Sequence, residues 1–189
     1  APPRLLSGFE REVLLAAAAR AAGDAGVAAP FSLRPGLIAE ILALYDQFRR
    51  QVRTIDDFDR NIREELEREA EFDRGAARLL EQTRFLVAAF RQYESGVADA
   101  GAADEHGLRA LLRDAPARRP FVHMVVTVGD RLADPDGLWP ADFDLLARLP
   151  GLARLDVLAT EATLGAGYLE RIHGTLPGIK ETPVVRTGA

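Results

Sequence analysis

Phe90-Arg-Gln-Tyr93-Glu-Ser-Gly-Val-Ala-Asp-Ala-Gly101-Ala-Ala-Asp104-Glu105-His106-Gly107-Leu108 is followed, twelve residues on, by Phe121-Val-His-Met-Val-Val-Thr-Val128-Gly129-Asp130. The first segment closes a long amphipathic helix, stops at a glycine and enters an acidic turn. The second is a short apolar run rich in β-branched residues, which reads as a strand buried on both faces. Helix on one side and strand on the other make this stretch the divide between two kinds of architecture.

Upstream of it the pattern is helical almost throughout. Leu5, Phe9 and Val13 fall at helical spacing behind Ser7, a residue suited to an N-cap. Gly23 to Phe31 interrupts that periodicity, and Pro35 opens a second helix. Its Ile38, Ile41, Tyr45, Phe48 and Val52 form one apolar stripe, with Arg49, Arg50 and Arg53 on the opposite face. Thr54 and Asp57 have the spacing of a capping box, which starts a charged helix from Ile55 to about Ala70 with Ile55, Phe58, Ile62 and Leu66 placed to bury. A fourth helix is predicted from about Asp73 to Ala98, buried along Leu79, Leu86, Phe90, Tyr93 and Val97, and ended by Gly101.

Downstream, Asp134-Pro-Asp-Gly137 reads as a turn, Pro140 to Leu149 as a helix and Leu155 to Ala159 as a second strand. Gly165 to His173 makes a last short helix. Strand, helix and strand in that order predict a right-handed parallel unit. The expected class is mainly α with a small α/β portion: a helical bundle subdomain followed by a β-α-β unit from a parallel sheet. Residues 1–33 are expected to form an N-terminal helix and linker, 34–113 the helical subdomain and 114–189 the α/β portion.

Composition narrows the function classes. The 189 residues carry 48% apolar and 28% charged side chains and a net charge of −5, so no global positive field marks a nucleic-acid binder. With no cysteine, disulfides, thiol nucleophiles and Cys-ligated metals are excluded from this segment. No apolar run is long enough to span a membrane, and a cytoplasmic location is expected. Lys180 is the only lysine among 24 basic residues. It lies outside any G-x-x-x-x-G-K-[ST] pattern, so the segment lacks the phosphate cradle that nucleotide hydrolysis requires.

The order of these elements resembles superfamily-one DNA helicases of the UvrD/PcrA kind, and more closely the AddB-type, helicase-derived subunit of bacterial helicase–nuclease complexes. In those proteins a helical insertion ends in a helix with a Y-x-x-x-L segment and a D-F-D-D-L turn before the chain re-enters the RecA-like first motor domain. Tyr93 and Asp104-Glu105-His106-Gly107-Leu108 stand in that order here, with His106 and Gly107 departing from the pattern. The family's next strand ends V-D-E-x-Q-D and holds magnesium; Val128-Gly129-Asp130 keeps one acid of the pair. A later family strand ends V-G-D-x-x-Q, against Val157 to Glu161 here, which lacks the Gln. The resemblance therefore implies degenerate ATPase positions at Gly129, Asp130 and Glu161, with no catalytic role, no metal and no cofactor in this segment. It implies a non-catalytic role in DNA double-strand break repair, shaping a DNA channel or docking a helicase–nuclease partner subunit. A nuclease domain elsewhere in such parents is implied by family alone.

Candidate DNA-backbone contacts are Arg49, Arg50 and Arg53, and a second patch at Arg118 and Arg119 beside Arg113. Asp56, Asp57, Asp59 and the glutamates from Glu64 to Glu71 alternate with arginines, as a solvated face with i to i+4 ion pairs does. His106, His123 and His173 share no ligand spacing; His123 reads as a core or edge residue of the strand. The acidic turn at Asp104 is expected to cap the helix after it, and Trp139 to anchor packing. Two other classes stay open: a helical protein-interaction module, and a small enzyme using Asp130 and Glu161 as paired carboxylates at strand ends.

Overall fold

The structure, a computed structural model of the chain, describes residues 3–67, 72–114, 121–128 and 138–182. It is mostly helical, with two small parallel two-stranded sheets, as the sequence predicts. The chain divides into two compact units, Ala1–Leu111 and Leu112–Ala189.

The first unit is built on helices whose starts the sequence specifies. α1 (Gly8–Asp24) begins with a capping box in which Ser7 Oγ accepts from the Glu10 backbone N–H and the Glu10 carboxylate accepts from the Ser7 N–H. α2 (Pro35–Arg50) has its proline in the first turn, where the missing N–H costs nothing. α3 (Ile55–Leu66) begins with the Thr54–Asp57 box. α4 (Arg74–Asp99) is capped by Asp73 and ends at Gly101, whose φ of +59° suits glycine. β1 (Arg4–Leu5) pairs in parallel with β2 (Ala102–Ala103), which leads into α5 (Glu105–Asp114).

Packing follows from side-chain size. Along α1 and α4, Ala19 and Ala22 lie against Phe85 and Ala89, and small residues let two helices approach closely. Tyr45 sits at the centre of an aromatic cluster, edge-on to Phe48 at 5.3 Å and to Tyr93 at 5.2 Å, with Phe90 at 5.3 Å. Leu15, Ile41 and Val97 extend this core, so α1 belongs to the same core as α2 and α4 instead of standing apart as residues 1–33.

Two expectations about burial are reversed. The Leu5, Phe9 and Val13 stripe is 57%, 75% and 50% exposed, because α1 turns Leu15, Ala18 and Ala22 inward instead. Leu79 of α4 is exposed too, whereas neighbouring Leu80 and Thr83 are buried.

The second unit holds β3 (His123–Thr127), α6 (Pro140–Arg148) and β4 (Arg154–Leu158), the predicted strand–helix–strand order. The strands pair in parallel from His123 opposite Arg154 to Thr127 opposite Leu158. β3 was expected to be buried on both faces, yet Val125 is 51% exposed. His123 and Thr127 share that face and are exposed with it, while Met124 and Val126 on the other face are partly buried. Beyond β4, α7 (Glu161–Thr163), a π-turn (Leu164–Tyr168) and α8 (Leu169–Thr175) extend the expected last helix at both ends. Gly167, with φ +91°, supplies the backbone that the π-turn needs. Phe143 and Ile172 are buried in this unit. The predicted turn at Asp134–Gly137 lies outside the described residues.

Candidate functional site

The acidic turn is held by its own backbone. Asp104 Oδ1 accepts from the N–H groups of His106 (3.1 Å) and Gly107 (2.8 Å), capping α5 as expected, while Oδ2 accepts from the Tyr93 hydroxyl at 3.3 Å. This fixes the imidazole of His106, almost fully buried, against α2. Its Nε2 lies 2.9 Å from Asp46 Oδ1 and 3.4 Å from Glu105 Oε1. A carboxylate can only accept, so Nε2 carries the proton in this arrangement. Tyr45 packs edge-on to the same ring at 5.5 Å and donates its hydroxyl to Glu94 at 2.9 Å.

Three arginines complete the cluster. Arg11 of α1 donates through both terminal nitrogens to Asp46, at 3.1 and 2.5 Å, and through Nε to the Tyr93 oxygen at 3.0 Å. Its Nη2 lies 3.9 Å from Asp104. Arg50 of α2 donates Nε and Nη2 to the two oxygens of Glu105, at 2.8 and 3.3 Å, and Arg109 stands 3.7 Å from the same carboxylate. Three guanidiniums thus face the carboxylates of Asp46, Asp104 and Glu105, and with a neutral imidazole the formal charges balance.

The electrostatic consequences follow partner by partner. Burial alone would raise the Asp46 carboxyl, but hydrogen bonds from His106 and Arg11 outweigh it and hold the group below its ordinary range. Glu105 is likewise lowered: burial opposes, and the Arg50 fork prevails. The Tyr93 hydroxyl is pushed up to about 12 by burial, against the pull of Arg11.

Asp46, Glu105 and His106 offer ligand atoms within 4.8 Å of one another, the spacing of a divalent-metal site. The donor set fits a metal poorly. Nε2 is committed to Asp46, and both carboxylates are gripped by fixed guanidiniums, so an incoming cation must break two forked ion pairs in a cluster already neutral. The arrangement is chemically a brace joining α1, α2, α4 and α5.

On the expected arginine face, two of the three side chains stand near acids. Arg50 is committed to Glu105, Arg49 stands 3.9 Å from Glu94, and Arg53 is exposed in the connector after α2. Arg118, Arg119, Gly129 and Asp130 lie outside the described residues. Glu161 is the exposed first residue of α7, behind the N-cap Thr160. His123 lies at the strand surface, 2.8 Å from Asp156, and His173 is exposed on α8. Trp139 precedes α6, its backbone N–H donating to Asp142. The acidic α3 carries the expected ion pairs: Asp57 with Arg60, Asp59 with Arg63 at 2.5 Å, and Asp56 with Arg91 of α4 at 2.7 Å.

Sequence reasoning passed over Arg11 and Asp46. The signal was present, since Arg11, Leu15, Ala18 and Ala22 step by 4, 3 and 4 and share one face. A charged residue on a buried stripe needs a partner.

Among the described residues of the first unit, two grooves have a lining that bears on binding. One, about 420 Å³, is lined by Phe9, Val13, Ala16, Leu33 and Ile38, with Glu12, Arg20 and Arg34 at its edge. The other, about 550 Å³, runs between Pro30 and the start of α4 and is lined by Arg74, Arg78, Glu81 and Arg84.

Comparison with protein-family models, curated proteins and solved structures returns no match.

Proposed function

We propose that this chain is a non-catalytic, helix-rich segment of a cytoplasmic DNA-processing protein of the superfamily-one helicase type, akin to the helicase-derived subunit of a helicase–nuclease. Its work is to shape a path for DNA or to dock a partner motor subunit during double-strand break repair. The observation that carries the reading is the Tyr93–Asp104 junction. The tyrosine near the end of α4 is hydrogen-bonded to the acidic turn, and the chain beyond that turn builds a parallel strand–helix–strand pair. This is the helix–turn–sheet order on which the resemblance rests. The brace at Asp46, Glu105 and His106 supports the non-catalytic part, because its acids are neutralised by arginines instead of turned toward a substrate.

DNA contact of this kind is directed at the backbone and weakens steeply with salt. Fluorescence anisotropy with forked and duplex DNA over a salt series is expected to show binding at low salt that falls as salt rises. Lack of binding to either substrate at low salt would sink the reading.

A second reading, a helical protein-interaction module, is favoured by the apolar groove of Phe9, Val13 and Leu33. Apolar surface gathered in one concave place is a common mark of a protein interface.

A further inference from the structure

We infer that the groove at the start of α4 is a binding site for single-stranded nucleic acid, with Arg74, Arg78 and Arg84 as its phosphate contacts. The inference rests on the DNA reading above and relocates the contact away from Arg49, Arg50 and Arg53. Two of those three face acids, as described. Arg74, Arg78 and Arg84 are exposed, line one groove, and none of them makes an ion pair within 4.0 Å among the described residues. A surface cation without an internal acceptor keeps its full capacity to bind an external anion.

Spacing selects the class of ligand. Along the helix axis Arg78 lies about 6 Å from Arg74, and Arg84 about 9 Å further on. A single phosphate cannot reach both ends of that row, whereas a strand with a charge at every nucleotide can. Glu81 also lines the groove and lowers its net charge, which limits the row to a few phosphates. Phe72, 89% exposed, precedes Arg74 by two residues. An exposed aromatic beside a row of cations is how proteins hold single strands, bases stacking on the ring while phosphates meet the guanidiniums. Asp73 already caps the helix through the Gly75 N–H at 2.7 Å, so the arginines, not the helix end, supply the attraction.

The test is anisotropy with a fluorescent oligothymidylate and the full chain, across a salt series. The variants are Arg74→Ala/Arg78→Ala/Arg84→Ala, Phe72→Ala, and a control, Arg60→Ala/Arg148→Ala/Arg154→Ala, that removes equal charge elsewhere. With about 0.7 released counterions per contact, the groove triple should lower the slope of log affinity against log salt by about 2. Its affinity loss between about 50 and about 200 mM salt should then be about 20-fold smaller than the parent's. Phe72→Ala should weaken binding at least about fivefold with the slope unchanged, and the control should stay near the parent. If the parent binds DNA but the groove triple matches the control, this site is wrong and the DNA reading stands. A groove triple that weakens duplex but not oligothymidylate overturns the single-strand assignment. If the parent binds neither form of DNA, both fall together.

Discussion

Arg11 shows how a single side chain can hold several elements together. Its guanidinium answers Asp46, Tyr93 and Asp104, and all four groups are largely shielded from water. Arg11→Met keeps an unbranched apolar stem but removes the cation that Asp46 and Asp104 both face. The loss expected in urea unfolding is about 3 kcal/mol, at the lower end for a broken buried pair because water still reaches this one. The same cluster sets an acid limit. Asp46 and Glu105 titrate below their ordinary values of 3.8 and 4.5, so their stabilisation is complete above those values. It is lost as pH falls from those values through the lower folded ones, because the unfolded chain, whose carboxyls have the higher pKa, takes up protons first. Asp46→Asn should therefore be less stable than the parent at neutral pH, with the gap in a urea series narrowing as pH falls below the ordinary carboxyl value of 3.8; a gap of constant size would count against the assignment. At this scale the sequence disclosed the caps, because Ser7, Thr54 and Asp104 act through neighbours three residues away or fewer. The partners of Arg11 lie 35 and 82 positions off, and no local pattern specifies which acid a buried arginine will meet.

At the scale of elements, the end of α2 holds a conformational misfit. The Arg53 N–H donates to Phe48 O at 3.1 Å and the Val52 N–H to Arg49 O at 3.0 Å, the paired bonds of a Schellman ending. That ending requires a left-handed residue, and Val52, at φ 60°, is the one non-glycine with positive φ among the described residues. A β-branched side chain there crowds its own backbone, and Val52 is half exposed, so little packing offsets the strain. Val52→Gly should raise stability by about 1 kcal/mol, read as a shift of the thermal midpoint. The apolar stripe of α2 explains why the sequence misleads at this spot: Val52 continues the spacing of Ile38, Ile41, Tyr45 and Phe48, yet the helix stops at Arg50. A similar error of phase affected α1. Phe9 and Val13 are the larger apolar residues, but Ala18, Ala19 and Ala22 are the ones that permit close approach to α4, so helix spacing overrode hydrophobicity. β3 was misjudged for a different reason, since its composition suits a sheet covered on both faces and only the elements packed on each face decide whether that cover exists.

At the scale of the molecule, the change from a helical first unit to a strand-bearing second one was legible, because helical periodicity gives way after Leu112 to the short β-branched apolar run from Phe121 to Val128. The placement of cations was not. Arginine is spread along the whole chain, and whether a given one is spent internally depends on which acids the fold brings near. The net charge of −5 thus conceals a local contrast: around Asp46 the positive groups are consumed, and along the first turns of α4 they are left over. Whether DNA responds to that leftover charge is what the salt series measures.

The short parallel ladder of Arg4–Leu5 with Ala102–Ala103 brings the first strand of the helical unit beside the residues that leave its last long helix. Nearly the whole unit is thereby a closed ring in space, though not in covalent bonds. Joining those neighbouring ends by a short linker and reopening the chain in the connector between α1 and α2 would keep α1 to α4 while giving up α5. It would also turn the most distant pairing in the unit into a local one, removing much of the loop-closure entropy that the natural order must overcome before its core can assemble.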